Sequence, residues 1–403
     1  MKVLIADKFE KSGLEGLKAA GCNVIFEPDL KDDALTAALK EHDPSVLVVR
    51  STKVTSDMIK ACDGLAMILR AGAGYNTIDV EAASARGVAV ANCPGKNAVA
   101  VAELAMGLML ALDRRIADNT ADLRAGAWNK KEYSKAPGLK GRTLGVVGVG
   151  EIGKAVIARA LAFEMDVVAW SRSLTPAMAE ELGVRFAGSV GEVAEQCDVL
   201  SLHVAAAAET KNLINAQILS KMKAGAYLIN TSRADVVDYD ALAAAVKEKN
   251  LRVGLDVYPS EPSSGTESFR PAILDAGGVV YGTHHIGAST DQAQEAIAAE
   301  AVRVVATFNA TGQTLNCVNI ETKSVASCQI VVRHFDKVGV LAFVLDQLRA
   351  EQINVQEMSN TIYKGSKAAV ATMRLDKQPT AKVIADLVAK KDDIIQVQVK
   401  SVD

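Results

Sequence analysis

Short apolar runs alternate with amphipathic segments from the first residue to about residue 92. The amphipathic segments, such as 33–40 and 57–62, carry apolar side chains at helical spacing, whereas the apolar runs have strand length. Alternation of this kind predicts parallel βαβ units, and therefore an α/β fold. The predicted strands of this first sheet are 2–6, 23–26, 46–50, 67–70 and 88–92.

A second series of apolar runs predicts a second parallel sheet that ends near residue 283. Between the two series lies 98–115, a long helix that is apolar over most of its circumference, so we expect it to be buried and to cross between the sheets. Trp128 follows in a polar segment and is a candidate interface residue, with a core position as the alternative. The predicted strands are 143–147, 165–170, 198–203, 226–230 and 252–257.

The last segment begins after a polar break at 316–327 and has a different pattern. Its elements follow the order βαββαβ, which is typical of a small ferredoxin-like domain. It holds no catalytic constellation, so we expect it to serve regulation or assembly. The predicted elements are 328–335, 338–352, 353–363, 367–375, 380–391 and 394–402.

One glycine-rich turn indicates a bound dinucleotide. The stretch Thr143-Leu-Gly-Val-Val-Gly-Val-Gly-Glu-Ile-Gly153 reads as a buried strand that opens a helix through glycines. Gly148 would allow the tight turn, Gly150 would let backbone N–H groups approach a pyrophosphate, and Gly153 would let the helix pack on the strand. Glycines also mark ordinary strand-to-helix turns, but the strand at 165–170 completes a βαβ unit here.

Two connections in the first sheet are candidates for anion binding. Arg50-Ser-Thr-Lys53 and Arg70-Ala-Gly-Ala-Gly-Tyr-Asn76 both follow predicted strands, at the carboxyl edge where open α/β sheets bind ligands. The two glycines of the second connection free backbone N–H groups to hold an anion. The alternative is that both are ordinary solvated turns.

Composition narrows the class of protein. At 403 residues the chain is long enough for several domains, and its net charge of -3 offers no basic field, so we expect no nucleic-acid partner. The six cysteines show no CxxC spacing, which favours reduced thiols and disfavours a metal site. We find no leader or membrane-spanning pattern and expect a soluble, cytoplasmic protein.

Three residues that follow predicted strands could carry the chemistry. Histidine is the side chain suited to take the hydroxyl proton when an alcohol is oxidised by hydride transfer, and His285 is the candidate, although His284 lies beside it. Glu261 would orient its ring, and Arg233 would bind a substrate carboxylate. The alternative from the residues alone is structural: a helix cap at His285, an exposed turn at Glu261 and a strand end at Arg233.

The choice between NAD and NADP depends on the end of the strand at 165–170. An acidic residue there would bind the ribose 2′-hydroxyl of NAD, but the chain has Ser171 and Arg172. These two residues could accept the 2′-phosphate of NADP. The alternative is that the acidic contact is dispensable and NAD still binds.

The ordered motifs resemble a known family. Besides the glycine turn and the 70–79 segment, they are 97–103, Asn230-Thr-Ser-Arg-Ala-Asp-Val-Val-Asp238, Leu255-Asp-Val-Tyr-Pro-Ser-Glu-Pro262 and His285-Ile-Gly-Ala-Ser-Thr290. Through residue 316 the chain resembles the D-isomer-specific 2-hydroxyacid dehydrogenases, and 328–403 resembles an ACT regulatory domain. The resemblance implies two Rossmann-like, doubly wound parallel-sheet domains plus the C-terminal domain. It implies a substrate-binding, flavodoxin-like domain at 1–94 and 283–316, a dinucleotide-binding domain at 95–282 and an ACT domain at 327–403.

The resemblance also assigns roles to residues. Arg233 would bind the carboxylate of the 2-oxo acid, His285 rather than His284 would be the acid/base, and Glu261 its partner. The implied substrate set is Arg50, Ser51, Ala73, Gly74, Tyr75 and Asn97, with Lys53 a weaker addition. The implied cofactor set is Gly148, Gly150, Glu151, Ile152, Gly153, Ser171, Arg172, His203, Thr231, Ser232 and Asp256, the last on the nicotinamide carboxamide.

Some residues depart from the family pattern, all near the cofactor. Ser171 stands where an aspartate is usual, Ala205 where a proline is usual after His203, and Ala234 where a glycine is usual.

The branch that the chain resembles oxidises 3-phospho-D-glycerate to 3-phosphohydroxypyruvate. An NADP-dependent glyoxylate or hydroxypyruvate reductase is the enzymatic alternative, and a ligand-sensing or corepressor-like protein is the alternative from another class.

The resemblance to an ACT domain implies an effector and an assembly. His334 and Asn354 match positions that bind serine in feedback-inhibited relatives, but Asp336 stands where an asparagine would be. Its carboxylate could repel the serine carboxylate or pair with its ammonium group. We expect a homodimer or homotetramer.

Overall fold

The computed structural model describes residues 1–262, 266–321 and 324–402. The chain forms two compact units, Met1–Asn319 and Ile320–Asp403. Within the described residues no helix combines the length and apolar character needed to cross a membrane.

The first sheet of the larger unit has five parallel strands in the order β2-β1-β3-β4-β5. The order reverses between β1 and β3, so a ligand crevice is expected where those strands end. Its central strand is fully buried, as expected for a sheet that helices cover on both faces. The elements are β1 (Lys2–Ile5), α1 (Lys11–Ala19), β2 (Asn23–Phe26), α2 (Asp32–His42), β3 (Val46–Val49), α3 (Ser56–Lys60), β4 (Met67–Arg70), α4 (Val80–Ala85) and β5 (Ala89–Asn92).

The long helix α5 (Ala98–Arg114) leads from the first sheet to the second and is largely buried, as its apolar circumference predicts. It ends at Arg115, whose left-handed backbone (φ +50°) breaks the helical path. Two further helices follow, α6 (Ile116–Arg124) and α7 (Lys130–Tyr133), and neither has a buried residue. The sequence pattern did not predict these two helices, because they have no apolar stripe.

The second sheet has seven parallel strands in the order β12-β11-β10-β9-β6-β7-β8. Here the order reverses between β6 and β9, the arrangement of a doubly wound dinucleotide fold. The elements are β6 (Thr143–Val147), α8 (Glu151–Ala162), β7 (Asp166–Trp170), α9 (Pro176–Glu181), β8 (Arg185–Phe186), α10 (Val190–Gln196), β9 (Val199–Leu202), α11 (Ala216–Lys221), β10 (Tyr227–Asn230), α12 (Tyr239–Lys249), β11 (Arg252–Leu255) and β12 (Val280–Gly282).

The chain then returns to the first sheet through α13 (Asp291–Thr311). Thr290 caps this helix by accepting a hydrogen bond from the backbone N–H of Ala293 at 3.2 Å. The helix packs against α1 and buries Ile297 and Val304 in the core on that face of the sheet. The first sheet is therefore completed by residues from both ends of the larger unit.

The smaller unit has a four-stranded antiparallel sheet in the order β14-β15-β13-β16. Two amphipathic helices bury their apolar faces in its core. The βαββαβ order and the α/β class of the whole chain are confirmed. The elements are β13 (Cys328–Phe335), α14 (Val340–Ala350), β14 (Val355–Ile362), β15 (Ala368–Leu375), α15 (Ala381–Ala389) and β16 (Ile394–Ser401).

Candidate active site

The glycine turn lies at the carboxyl end of β6 and leads into α8. Gly148 has a φ of +99°, and a Cβ atom there would lie 2.4 Å from the carbonyl oxygen of His203. A Cβ atom on Gly153 would lie 2.0 Å from the carbonyl oxygen of Gly148. A Cβ atom on Gly150, by contrast, would have no atom of the described residues within 4 Å. The turn is therefore packed where helix meets strand and open where the helix N-terminus could receive a pyrophosphate.

Polar atoms without partners among the described residues lie at the ends of β9 and β10, at the same edge of the sheet as this turn. Nε2 of His203 is 2.8 Å from Oγ of Ser201, but its buried Nδ1 has no partner among the described residues, and neither does the buried Oγ1 of Thr231. Burial lowers the pKa of His203 to about 4, so its ring is neutral at physiological pH. Buried polar groups without partners are rare, and they fit a ligand that supplies the missing hydrogen bonds. The glycine cradle and these atoms together fit a dinucleotide.

Ser171 and Arg172 follow β7, beside the glycine turn. Gly148 N donates to Trp170 O at 2.8 Å, which places the end of β7 next to the turn. Ser171 is partly buried and Arg172 is exposed. Within the described part of the chain, the Arg172 side chain has no hydrogen bond or ion pair.

Glu261 and His285 form a hydrogen-bonded pair. Nδ1 of His285 lies 2.5 Å from Oε2 of Glu261, while Oε1 of Glu261 accepts from the backbone N–H of Tyr258 at 2.6 Å. Since an ionised carboxylate only accepts, the ring N–H donates, which leaves Nε2 of His285 for a substrate hydroxyl. The His285 side chain is 46 % exposed, so a ligand can reach it. No such contact joins Glu261 to His284 among the described residues, and the His284 side chain is exposed.

Opposing effects act on the ionisation of this site. Burial raises the pKa of Glu261. The hydrogen bonds from His285 and from the backbone of Tyr258, together with the charge of Arg233, lower it by more than burial raises it, so the net pKa is below the ordinary value. Burial lowers the pKa of Arg233, and the charge of Glu261 acts in the opposite direction. Glu261 is therefore an anion and Arg233 a largely desolvated cation at neutral pH.

Asp256 anchors the segment that carries His285. It is 1 % exposed, and its Oδ1 accepts from Thr283 Oγ1 at 2.6 Å and from Ile286 N at 2.8 Å. Its Oδ2 accepts from Gly287 N at 2.8 Å. His285 itself has a φ of +51°, in the left-handed region. The carboxylate thus fixes the backbone on both sides of a residue in an uncommon conformation. The role of Asp256 toward a nicotinamide carboxamide stays a prediction.

The connection 70–76, which we call the substrate loop, meets the end of β10. A Cβ atom on Gly74 would lie 2.3 Å from Nη2 of Arg233, so glycine allows the guanidinium to lie against the loop backbone. Likewise, a Cβ atom on Gly72, whose φ is +148°, would lie 1.6 Å from Nη1 of Arg70. The loop after β4 and the turn after β10 therefore converge, although they belong to different sheets.

Arg70 is a site residue that sequence reasoning missed. Its Nε donates to Arg50 O at 3.0 Å, which directs the guanidinium toward the turn after β3. Burial first, and then the charges of Arg233 and Arg50, lower the pKa of Arg70 to about 10. The charges of Arg233 and Arg50 thus lie close enough to Arg70 to disfavour its charged form. Arg70 opens the 70–79 motif, and its position as the last residue of β4 was the available signal.

Asp7 is a second residue that sequence reasoning missed. Its Oδ2 accepts from the backbone N–H groups of Arg50, Ser51 and Thr52 at 2.6, 3.1 and 3.0 Å. The turn after β3 does form an anion-binding nest, but the carboxylate at the end of β1 fills it. A ligand at this turn would therefore meet side chains rather than the backbone.

The remaining predicted residues lie around these groups. Ser232 N and Oγ both donate to Oδ1 of Asn230, and Asn230 Nδ2 donates to Arg233 O at 3.0 Å, so Asn230 shapes the turn that presents Arg233. Asn97 precedes α5, and its buried Oδ1 has no partner among the described residues. Tyr75 is exposed. The exposed residues Glu151 and Lys53 and the partly buried Ile152 and Ala73 complete the predicted set.

The three effector candidates lie in the smaller unit. His334 is 1 % exposed, and its Nε2 lies 3.1 Å from Oδ1 of Asn360 on β14. Asp336 and Asn354 are exposed, and Asn354 N donates to Asp376 Oδ1 at 2.9 Å. No contact among the described residues joins the His334, Asp336 and Asn354 side chains to one another.

Comparison with known proteins agrees with this geometry. Residues 106–287 match the family model of the D-isomer specific 2-hydroxyacid dehydrogenase, NAD binding domain. The chain is 40% identical over 307 residues to the hydroxypyruvate reductase of Thermotoga maritima, covering 75% of this chain and 97% of that protein. It is 37% identical over 325 residues to the D-3-phosphoglycerate dehydrogenase of Methanocaldococcus jannaschii, covering 79% of this chain but spanning only 60% of that longer protein.

A solved structure shows the same likeness. The 3-phosphoglycerate dehydrogenase of Entamoeba histolytica with bound NAD+ superposes with a TM-score of 0.66 at 27% identity. The match covers 79% of this chain and 99% of that chain.

Proposed function

The chain belongs to the D-isomer-specific 2-hydroxyacid dehydrogenase family, and we propose that it is a D-3-phosphoglycerate dehydrogenase. It would oxidise 3-phospho-D-glycerate to 3-phosphohydroxypyruvate, the first step of serine synthesis. The observation that carries this proposal is the gathering of Arg50, Arg70 and Arg233 at one crevice. A substrate with a carboxylate at one end and a phosphate at the other would neutralise such a cluster.

In this proposal Arg233 binds the substrate carboxylate, beside the backbone of Gly74. Guanidinium groups suit this task because their N–H donors match a carboxylate bidentately. Arg50 and Arg70 bind the phosphate, with Ser51 close by. The substrate loop lies between the two anionic groups, so its backbone N–H groups complete the carboxylate site.

In this proposal His285 takes up the substrate proton and Glu261 assists it. Nε2 of His285 accepts the proton of the C2 hydroxyl as the carbonyl forms, and Glu261 stabilises the resulting imidazolium through Nδ1. A bound nicotinamide supplies the acceptor for the C2 hydride. In the reverse direction His285 returns the proton to the carbonyl oxygen. The desolvated Arg233 polarises the carbonyl oxygen, which assists hydride addition in that direction.

For the cofactor, we propose that Gly148, Gly150 and the N-terminus of α8 receive the pyrophosphate. His203 and Thr231 would supply hydrogen-bonding atoms, since each has a buried polar atom without a partner among the described residues. Arg172 is exposed and has no ion pair among the described residues, which supports binding of the 2′-phosphate of NADP by this side chain. NAD is the family default, so dual use is the specific proposal.

For assembly, we propose a homodimer formed through α6 and the segment after it. No residue of α6 is buried among the described residues, and its Ile116 and Leu123 are exposed, as is Trp128, which is 81 % exposed. Pairing of the smaller units would make a tetramer. The substitution Trp128→Ala should then lower the mass measured by light scattering; an unchanged mass would reject this interface.

Serine is the proposed effector of the smaller unit. Its carboxylate and ammonium groups would have to reach His334, which in this structure is buried and paired with Asn360. Serine binding therefore requires that pair to open or a neighbouring surface to complete the site. Inhibition of turnover by added serine tests this proposal.

The test is a matrix of steady-state kinetics with purified protein. Phosphohydroxypyruvate, hydroxypyruvate, glyoxylate and 2-oxoglutarate are each assayed with NADH and NADPH, with and without serine. We expect the highest kcat/KM with phosphohydroxypyruvate and a large rise in its KM in Arg50→Ala, with little change for hydroxypyruvate. Turnover of unphosphorylated acids alone would favour the hydroxypyruvate or glyoxylate reductase, which the Thermotoga maritima relative supports.

A binding protein without turnover is the alternative from another class. The intact Glu261–His285 hydrogen bond and the contact of Arg233 with the substrate loop argue against it. Absence of NAD(P)H oxidation with all four acids would favour it.

A further inference from the structure

Residues 316–319, which we call the strap, run antiparallel along the edge of β5. Val318 N donates to Val90 O at 2.8 Å, and Val90 N donates to Oδ1 of Asn319 at 2.8 Å. Between them, Cys317 forms an antiparallel bridge with Ala91. The strap thus covers an edge of the first sheet with the last residues before the smaller unit, which begins at Ile320.

Asn92, the last residue of β5, lies between the strap and the substrate loop. Its side chain donates from Nδ2 to the carbonyl oxygen of Ala73 at 2.6 Å, and it is only 8 % exposed. Its backbone carbonyl accepts from Asn316 Nδ2 at 3.2 Å, and its N–H donates to Asn316 O at 3.4 Å. The next residue, Cys93, donates from its N–H to Gly72 O at 2.9 Å. One residue therefore joins the strap on one side to the substrate loop on the other.

Glu300 on α13 secures the same strap. Its Oε1 accepts from Asn316 Nδ2 at 2.7 Å, and Oε2 lies 3.5 Å from Nζ of Lys96 in the segment that leads to α5. Hydrogen bonds from Arg303 lower the pKa of Glu300 to about 2, although burial acts in the opposite direction. Asn316 has a φ of +53°, a conformation that asparagine adopts more readily than most residues.

We propose that Asn92 is a positioning residue for the substrate loop, and that the strap holds it in place through Asn316. The hydrogen bond to Ala73 fixes the loop carbonyl, so that the loop keeps its contact with Arg233 and its N–H groups keep their direction. A change in the strap, which leads directly into the smaller unit, thereby reaches the substrate carboxylate. The proposal rests on the proposed function only in naming that ligand.

Hydrogen exchange measured by mass spectrometry on the full chain tests this coupling without turnover. Asn92→Asp keeps the shape but replaces the donor with an acceptor, and Asn316→Gly keeps the left-handed backbone while removing the side chain. We expect faster exchange in the peptide covering 70–76 in both variants. The matched control is Asn309→Ala, which removes a similar bond, Nδ2 to Ala20 O at 3.0 Å, away from the loop.

Each outcome decides the proposal. Faster exchange confined to the strap in Asn316→Gly, or equal acceleration of 70–76 in the control, would overturn it. If the wild type turns over its acid, Asn92→Asp should raise the KM for that acid about tenfold, because one buried hydrogen bond is lost. The kcat and the affinity for NAD(P)H should stay near those of the wild type. An unchanged KM would also overturn it. A wild type without turnover would refute the proposed function, and the exchange data would still decide the coupling.

Discussion

The Glu261–His285 pair allows the sharpest prediction about catalysis. The change is Glu261→Gln, which keeps the size of the side chain and its ability to accept a hydrogen bond from Tyr258 N but removes the negative charge. The bond it replaces is short, 2.5 Å, and joins a carboxylate to the ring that, in the proposed mechanism, becomes an imidazolium during oxidation. Charge-assisted hydrogen bonds contribute about 1.5–3 kcal/mol, so kcat should fall between about tenfold and a hundredfold.

The pH dependence gives the sign of the effect. Glu261 has a lowered pKa, so it is ionised across the neutral range and stabilises the protonated ring there. Without that charge the protonated ring is less stable, so the reduction reaction, which in the proposed mechanism needs a proton on His285, should be slower in the variant wherever Glu261 of the wild type is ionised. The stability that Glu261 contributes is present above its ordinary pKa and is lost as pH falls through its lowered value.

The assay is steady-state reduction of the 2-oxo acid by NAD(P)H across pH, with Glu267→Gln as the matched control. Glu267 lies in the same connection and is exposed, so its substitution should leave kinetics and pH profile unchanged. A kcat for Glu261→Gln near that of the wild type, with the same pH profile, would show that the carboxylate does not assist His285. A similar loss in the control would show that the connection, not the charge, matters.

Three further predictions test other parts of the structure. Gly148→Ala places a Cβ atom 2.4 Å from the carbonyl of His203 and should lower the free energy of unfolding by roughly 2 kcal/mol, whereas Gly150→Ala should not; equal denaturation midpoints would contradict this. Arg172→Ala should weaken NADPH more than NADH in fluorescence titrations, and equal weakening would argue against a 2′-phosphate contact. Glu300→Gln should lower the free energy of unfolding by roughly 3 kcal/mol at neutral pH, because the pKa of Glu300 is about 2 in the folded protein. The difference in unfolding free energy between variant and wild type should shrink as pH falls below about 5. A difference that is constant with pH would refute the ionic origin.

The sequence predicted most strands of the two parallel sheets because these strands are largely buried and end at glycines or polar turns. It missed β8 and β12 of the second sheet, which are short and have no buried residue among them. β3 shows this plainly: four consecutive apolar residues, all buried, precede Arg50. The smaller unit was predicted equally well, since its β13 alternates buried and more exposed side chains from Cys328 to Phe335. Helix α6 was missed for the converse reason, because none of its residues is buried and no apolar stripe marks it.

The chemistry of the candidate site was predicted only as far as motifs carry it. The pairing of Glu261 with His285 followed from residue types, whereas the bonds of Asp7 to the turn at Arg50 join residues more than forty positions apart along the chain. The hydrogen bond from Asn92 to Ala73, 19 positions apart, was not predicted either, because a side-chain amide at a strand end has many partners within reach. Such contacts depend on the register of neighbouring strands, which no local pattern specifies.

The arginine cluster links the proposed substrate to the energetics of the fold. A cation whose pKa is lowered on folding destabilises the folded protein wherever the cation is charged, and for Arg70 the shift to about 10 corresponds to a cost on the order of 3 kcal/mol. Asp7 offsets part of this cost but is itself engaged by backbone N–H groups. A bound anion relieves the remainder, so a ligand with both a phosphate and a carboxylate should raise the melting temperature more than one with a carboxylate alone. Equal stabilisation by phosphohydroxypyruvate and hydroxypyruvate would mean that Arg50 and Arg70 do not bind a phosphate.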